Sequence, residues 1–220
     1  MIKFINIIYN NLNKLKKNMK YINKLKKQTL NHLKTKKVNK QVINGKRFEK
    51  KTSNEQQLLN DKYTKIILNN TKYGYYLQKR TKNKEIIYTT QYGFKYYVEK
   101  MFNISSTRLP DEAYIINYYN TQNKIIKSII KIIEKKEQIC EGSCIDKLYS
   151  GDGIRFDYQM QFPIRKFKIN YSFCLNKFLW DKCNNQRYKS VFNYCKKKKI
   201  KVFNGSKKIY FKQLKKWINT

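Results

Sequence analysis

The pattern of apolar and polar positions changes several times along the chain, and it begins with a weak helical signal. Ile5, Ile8 and Leu12 recur at roughly the spacing of one helical face, so the pattern predicts an amphipathic helix near the start. From residue 16 to residue 51 the apolar positions thin out, and Lys and Asn dominate. Such a stretch buries too little apolar surface to fold alone. We therefore expect residues 1–60 to form an extended basic tail that becomes ordered only on RNA.

The strongest helical signal lies at residues 111–138. Asp111 and Glu112 follow Pro110, which is the arrangement expected at a helix start. The isoleucines that come next form a broad apolar stripe with lysines between them. The pattern therefore predicts a long core helix at 111–138, inside a helical domain that covers 61–149.

Residues 150–171 alternate between apolar and polar positions, which is typical of a strand with one buried face. The apolar positions are Ile154, Phe156, Tyr158, Met160 and Phe162, followed after Pro163 by Phe167 and Ile169. Because the alternation has the period of a strand and is interrupted once, the pattern predicts an inserted β-hairpin at 150–171.

The last segment, residues 172–220, combines helical and strand signals. Two short helices are predicted by apolar positions at helical spacing, namely Leu175, Phe178 and Leu179, then Val191, Tyr194 and Cys195. Short strand signals at 200–202 and 208–210 flank Asn204-Gly205, a pair favoured in two-residue hairpin turns. The whole chain is thus predicted to be α+β and mostly helical, with a basic extended N-terminal tail, an inserted β-hairpin and a C-terminal helix-turn-helix-hairpin module.

This C-terminal segment resembles the RNA-binding module of the universal small-subunit ribosomal protein S-four family. The matching positions are Leu175, Leu179, Trp180, Ile200, Val202, Asn204, Gly205 and Lys207. A block upstream is similar to the same family and contains, in the family's order, Tyr73-Gly74, Leu77, Arg80, Lys82 and Tyr92-Gly93. The chain departs from the family pattern at Cys174 and Asn176, where the family has Arg and Asp. Residues 172–220 are accordingly assigned to an S-four-like module.

The resemblance implies a structural constituent of the small ribosomal subunit that binds ribosomal RNA early in assembly, beside neighbouring ribosomal proteins. Recognition would rest on shape and phosphates, because double-stranded RNA hides its base edges in a deep groove. The residues that the resemblance assigns to RNA binding are Lys177, Asn185, Arg187, Lys189, Lys196, Lys197, Lys198, Lys199 and Lys201. The upstream block adds a second basic cluster of Lys79, Arg80, Lys82 and Lys84.

Composition and charge narrow the class of partner. The chain has 50 Lys and Arg against 14 acidic residues, and its formal net charge is +36. This charge favours a phosphate backbone as partner, because each neutralised phosphate releases condensed counterions. Part of the excess follows from A+T-rich codons, since Lys, Asn, Ile, Tyr and Phe dominate. That bias favours an organelle genome, so we expect a mitochondrial protein of the matrix ribosome, with another organelle as the alternative.

Several ligand classes find little support in the sequence. No apolar run is long enough to cross a bilayer, so we expect no membrane partner. The cysteines at 140, 144, 174, 183 and 195 are expected to be thiols in a reducing compartment. A zinc or iron–sulfur site stays open for Cys140 and Cys144 with Cys183 and Cys195, although the usual tight second pair is missing. We expect no cofactor and assign no metal ligand.

Two other classes of function stay open. One is a ribosomal or nucleoid protein of another, lineage-specific family. The other is an RNA-modifying enzyme or nuclease, for which Asp152 and Asp157 are the acidic candidates. These two are five residues apart on a predicted strand and would point to opposite faces, which makes them a poor pair for a metal. Asp111 and Glu112 are expected to begin a helix, and His32 lies in the predicted tail. The sequence therefore favours a protein without catalytic activity and without a small-molecule substrate.

Overall fold

The computed structural model describes residues 44–68, 74–139 and 143–220, together with Met19. The predicted N-terminal helix, most of the predicted basic tail, His32, Tyr73 and Cys140 lie outside these residues. Residues 45–220 form one compact unit.

A seven-stranded mixed sheet runs through this unit, with its strands in the order of the sequence. The strands are β1 (Thr64–Ile67), β2 (Tyr75–Arg80), β3 (Lys84–Thr90), β4 (Glu112–Tyr119), β5 (Ile125–Lys136), β6 (Phe167–Leu175) and β7 (Lys201–Asn204). Neighbouring strands from β1 to β5 are antiparallel, whereas β5, β6 and β7 are parallel to one another. The sheet thus changes from a meander to a parallel arrangement at β5.

Helices cover both faces of the sheet. They are α1 (residues 44–51), α2 (Glu55–Asn60), α3 (Gln91–Phe102), α4 (Cys144–Tyr149), α5 (Gly151–Gln161), α6 (Lys177–Asn184), α7 (Lys189–Lys197) and α8 (Tyr210–Asn219). On the first face, α3 to α7 contribute residues such as Phe94 and Leu179 to one core. On the second face, α1, α2 and α8 contribute Phe48, Leu58 and Leu214 to another. The result is three layers, with the sheet in the middle.

The helix predicted at 111–138 is wrong, because this segment forms the hairpin of β4 and β5. Residues Ile129 to Ile133 are all buried, since helices cover both faces of these central strands. A strand that is buried on both faces has a continuous apolar run instead of an alternation. The β-branched isoleucines also favour a strand over a helix. Asn123, with φ of 61°, supplies the left-handed residue of the turn between the two strands.

The β-hairpin predicted at 150–171 is also wrong over its first half, which is helix α5. Tyr158 packs into the core of the first face, whereas Phe156 and Met160 are 62% and 67% exposed. The alternation of apolar residues therefore reflects exposed aromatic and Met side chains and not a strand face. The strand signal after Pro163 does correspond to a strand, because Phe167 begins β6.

The C-terminal module is only partly present. The predicted helices occur as α6 and α7, and Asn176 caps α6 by accepting a hydrogen bond from the Leu179 amide at 3.1 Å. The predicted hairpin is wrong, because β7 pairs in parallel with β6 and residues 210–219 form α8. Gly205 is needed for close packing, since a Cβ there would lie 2.6 Å from the Cys174 sulfur. The predicted mostly helical fold is therefore replaced by a three-layer fold around a seven-stranded mixed sheet.

Candidate functional site

Three charged side chains meet at the carboxyl end of the sheet, meaning the end at which β5, β6 and β7 finish. Asp111 immediately precedes β4, and Glu134 and Lys136 are among the last three residues of β5. Glu112 is paired with Ile133, so Asp111 lies opposite Glu134. In open sheets with parallel strands, this end is where ligands usually bind. The antiparallel pairing of β4 with β5 therefore brings Asp111 and Glu134 together at this end of the sheet.

Short contacts hold these groups in place. The Glu134 Oε1 atom lies 2.5 Å from Lys136 Nζ. The Lys135 backbone amide donates a hydrogen bond of 2.7 Å to Asp111 Oδ2. On the other side, Gln91 Nε2 donates at 3.5 Å to Asp111 Oδ1. Because a backbone amide and the first residue of α3 orient the Asp111 carboxylate, the position of this group is fixed by the sheet and not by a flexible loop.

The electrostatics of Glu134 reflect its position opposite Asp111. Burial raises the pKa of Glu134, the charge of Asp111 raises it further, and the Lys136 ammonium opposes both effects. A carboxyl group with a raised pKa beside a specific charge partner is typical of functional sites, although structural ion pairs also produce such shifts. We call Asp111 and Glu134 the carboxylate pair.

The charge of Glu134 also acts on two buried tyrosines. Burial raises the pKa of Tyr158 and of Tyr171, and in both cases the charge of Glu134 raises it further. Tyr171 is only 1% exposed, and its hydroxyl has no hydrogen-bond partner among the described residues. Buried hydroxyl groups without a partner are uncommon in folded proteins. A buried polar group on which the charge of Glu134 acts therefore remains unsatisfied among the described residues.

The neighbouring residues Lys135 and Glu112 have a structural role on the second face. Lys135 Nζ lies 2.7 Å from Glu112 Oε1, and both side chains are 2% exposed. Lys135 also donates a hydrogen bond of 2.9 Å to the carbonyl of Glu49, and the Tyr88 hydroxyl donates at 2.7 Å to Glu112. Burial raises the pKa of Glu112, and the Lys135 charge opposes this shift. Glu134 and Lys135 are successive residues of β5. Lys135 therefore belongs to a structural ion pair on the second face, and Glu134 belongs to the carboxylate pair on the first face.

Asp111 and Glu134 supply carboxylate oxygens, which are the type of ligand that Mg²⁺ binds. Within 44–68, 74–139 and 143–220, no group of three or more His, Cys, Asp and Glu side chains is arranged to hold a metal. Mg²⁺ does not need such a group, because it is usually bound by one or two carboxylates together with water and substrate phosphates. Cys183 and Cys195, which were considered for zinc, are buried in the core of the first face. Cys140 lies outside the described residues.

The opposite end of the sheet, which we call the amino end, carries a basic rim of nine residues. It is formed where β2 ends, β3 begins, β4 turns into β5, and β6 begins. Its members are Lys79, Arg80, Lys82, Lys84, Lys124, Lys127, Arg165, Lys166 and Lys168. All are exposed except Lys84, which is half-buried, and none forms an ion pair with a carboxylate in the described part of the chain.

Glu85 is the one acidic residue of the described strands at this end, and it does not offset the positive charge of the basic rim at the surface. Glu85 is buried and accepts hydrogen bonds from Asn117 at 2.9 Å, Tyr119 at 2.8 Å and Tyr97 at 3.1 Å, and from Gln78. Burial alone would raise the pKa of Glu85, but these hydrogen bonds outweigh it and lower the pKa. The carboxylate therefore stays ionised inside the protein while the lysines face solvent.

The RNA-binding residues predicted from the sequence fall into two separate groups. Lys79, Arg80, Lys82 and Lys84 lie together in the basic rim, and the structure adds five cations to them that the sequence pattern did not connect. The other group belongs to α6, α7 and the residues that follow. Lys177 pairs with Asp181 at 2.6 Å and Lys198 with Asp152 at 2.7 Å. The remaining members lie along this segment: Asn185 and Arg187 between α6 and α7, Lys189, Lys196 and Lys197 on α7, Lys199 after it, and Lys201 at the start of β7.

Sequence reasoning missed the carboxylate pair. The sequence pattern places Asp111 at a helix start and gives no separate role to Glu134 or Lys136, which fall within the same predicted helix. The signal that could have found them is an acidic residue before one strand and a Glu-x-Lys sequence at the end of the next. The candidates Asp152 and Asp157 instead lie on α5, where they pair with Arg155 at 2.7 Å and Arg108 at 2.8 Å.

No protein-family model, curated protein or solved structure matches this chain. The fold and the site must therefore be interpreted from their own chemistry. In the described part of the chain, no helix is long and apolar enough to cross a membrane.

Proposed function

We propose that this protein is a metal-dependent nuclease that hydrolyses phosphodiester bonds at the carboxyl end of its sheet. The observation that carries the proposal is the meeting of Asp111, Glu134 and Lys136 at the carboxyl end of the sheet, where the charge of Glu134 also acts on the buried, unpartnered hydroxyl of Tyr171. Two carboxylates suit a divalent cation, and an ammonium group suits the charge that develops on phosphate oxygens. The formal net charge of +36 suits a nucleic acid as substrate.

Each residue has a role that its surroundings support. Asp111 and Glu134 would hold the cation, which when bound polarises a phosphate oxygen and lowers the pKa of a water molecule. In hydrolysis, a water oxygen would form the bond to phosphorus while the bond to the departing nucleotide oxygen breaks. The water gives its proton to solvent, because Glu134 is engaged as a ligand of the cation and as the partner of Lys136. The departing oxygen takes a proton from solvent, and Lys136 stabilises the charge on the phosphoryl oxygens.

The test is cleavage of duplex DNA and of folded RNA by the full-length protein with and without Mg²⁺. We expect cleavage that needs Mg²⁺ and falls at least about 100-fold in Glu134→Gln and in Asp111→Asn, a loss comparable with that for a transition-state contact. Both variants should still bind the nucleic acid. Asp157→Asn is the matched control, because it makes the same change of charge at an exposed carboxylate outside the pair. Wild-type protein that cleaves neither substrate would contradict the proposal.

A second candidate function is that of a structural constituent of the small ribosomal subunit. Its test is whether the protein sediments with small subunits at moderate salt. The basic rim favours it, because nine solvent-facing cations without ion pairs suit ribosomal RNA. Membership of the S-four family, a location in mitochondria, neighbouring ribosomal proteins as partners and the absence of catalytic activity stay predictions of this candidate. The C-terminal hairpin on which the family resemblance partly rested is not present in the fold. A ribosomal or nucleoid protein of another family would also satisfy the same charge.

A further inference from the structure

The basic rim carries nine cations along one end of the sheet. The rim extends from β2 to β6, which is four strand spacings or about 19 Å. Over that length a nucleic acid duplex carries about eleven phosphate charges, at one for about every 1.7 Å. The nine cations of the rim therefore nearly match the charge of the duplex segment that would lie across them.

Aromatic rings hold several of these cations in position. Arg80 lies 4.5 Å above the centre of the Tyr119 ring, Lys79 5.6 Å above Tyr63, and Lys84 5.8 Å above Tyr118. Each ring restricts a long side chain that would otherwise lose its freedom on binding. The Lys79 ammonium is further fixed by a hydrogen bond of 2.9 Å to the carbonyl of Asp61. The rim is thus partly ordered before a ligand binds.

The positive charge of the rim also affects a buried lysine of β5, Lys131. Lys131 is 1% exposed, donates a hydrogen bond to the Trp217 carbonyl, and lies 5.2 Å from the centre of the Trp217 ring. Burial lowers the pKa of Lys131 to about 8, and the charges of Lys84 and Lys168 contribute to the lowering. A bound phosphate backbone would offset those two charges.

We propose that the basic rim is a second nucleic-acid-binding surface, which holds the phosphate backbone of a duplex that is cleaved at the carboxyl end. This inference rests on the proposed nuclease function and adds the size of its substrate. Lys127 in the rim and Glu134 in the carboxylate pair are seven residues apart on β5. Seven residues of strand span about 23 Å, which equals about seven base pairs at about 3.4 Å each. A duplex shorter than about seven base pairs can therefore contact the basic rim or the carboxylate pair, but not both.

The experiment combines a rim variant with two substrate lengths. The variant Lys82→Gln, Lys124→Gln, Lys127→Gln, Lys166→Gln removes four exposed charges that make no described side-chain ion pair. The substrates are hairpins with duplex stems of about 6 and about 30 base pairs, chosen below and above the span of about seven. We expect the variant to raise KM for the long stem at least tenfold, to leave kcat within twofold, and to leave cleavage of the short stem unchanged.

The matched control carries Lys189→Gln, Lys196→Gln, Lys197→Gln, Lys199→Gln on and after α7, all of them exposed positions. It makes the same change of charge in the other predicted RNA-binding group. We expect it to raise KM for the long stem less than threefold. Equal losses in the two variants would mean that binding follows net charge alone, and would overturn the inference. An equal effect of the rim variant on both stem lengths would also overturn it.

Failure of the nuclease proposal has a different signature. Glu134→Gln should bind the long stem as the wild type does, in a binding assay that needs no cleavage. If the wild type binds long stems through the rim but cleaves nothing, the nuclease proposal fails and the rim remains a binding surface. If cleavage depends on Glu134 while the rim variant keeps its KM, the inference about the rim fails alone.

Discussion

The two ends of the same sheet differ in how their charges are used. At the carboxyl end, carboxylates and lysines are partly or fully buried and contact one another, as in the pairs of Glu134 with Lys136 and Glu112 with Lys135. At the amino end, the nine cations of the basic rim face solvent without ion pairs in the described part of the chain. Charges that are oriented by neighbours can act on a reacting group, whereas unpaired surface charges can attract a polyanion over some distance. The position of a lysine in the fold therefore decides its role more than its contribution to the net charge does.

The largest expected effect concerns the structural ion pair at the carboxyl end. Lys135→Met leaves Glu112 buried without its counter-charge, which should lower the free energy of unfolding by about 3–5 kcal/mol. Urea denaturation followed by circular dichroism measures the change. The double variant with Glu112→Gln should recover part of the loss, since it removes the uncompensated charge. A single variant as stable as the wild type would show that the two side chains are not buried together.

The next effect separates Lys136 from its neighbour Lys135. Lys136→Gln should lower kcat about 10²–10³-fold, because it removes a cation directed at developing charge, and its side chain is 23% exposed, so the fold should tolerate the change. Lys177→Gln is the control, since it breaks an exposed lysine–carboxylate pair of similar length outside the candidate site. Cleavage rates under substrate saturation provide the measurement. An unchanged kcat in Lys136→Gln would limit the active part of the site to the two carboxylates.

A smaller effect tests whether the rim contacts phosphates directly. For duplex DNA, the logarithm of the binding constant falls with the logarithm of salt concentration by about 0.9 for each phosphate neutralised. Four Lys→Gln changes in the rim should therefore reduce this slope by about three to four. The four changes around α7 should reduce it by less than one. Fluorescence anisotropy over a salt series gives both slopes, and identical slopes would remove the distinction between the two surfaces.

The smallest expected effect is a pH dependence of stability that originates at Lys131. The pKa of Lys131 is lowered to about 8 by burial and by neighbouring lysines, from a usual value of 10.5. The folded state therefore favours the neutral amine, and its contribution to stability is present above 10.5 and is lost as the pH falls through about 8. Lys131→Met should flatten the pH dependence of the unfolding midpoint between those values. A wild-type midpoint that is constant across this interval would contradict the assignment.

Parts of the fold followed from the sequence where the local signal and the tertiary environment agree. The helices α6 and α7 have clear apolar stripes, and β6 begins where apolar positions resume after Pro163. The errors arose where burial on both faces erased the period of the pattern. Four of the five residues from Ile129 to Ile133 are isoleucines and the fifth, Lys131, is buried as well, because β5 lies in the middle of three layers. A single sequence does not reveal how many layers surround a segment.

The carboxylate pair could not be predicted for a related reason. Asp111 and Glu134 are 23 residues apart in the chain, and only the antiparallel pairing of β4 with β5 brings them together. Once 111–138 was assigned to one helix, the two carboxylates lay many turns apart. The basic rim was half predicted, since Lys79, Arg80, Lys82 and Lys84 are close in sequence, whereas Lys124, Lys127 and Lys168 reach the same end through the topology of the sheet.

Strand β5 begins beside the basic rim and ends with Glu134 and Lys136, so one continuous segment of backbone connects the two ends. It is also an interior strand, paired with β4 from Ile125 to Ile133 and with β6 from Ser128 to Lys136. Such a strand fixes the distance between its two ends, because neither end can shift without breaking the hydrogen bonds of the sheet. A substrate held at the rim would be cut at a set distance from its point of attachment, and the products would have ends at a constant offset.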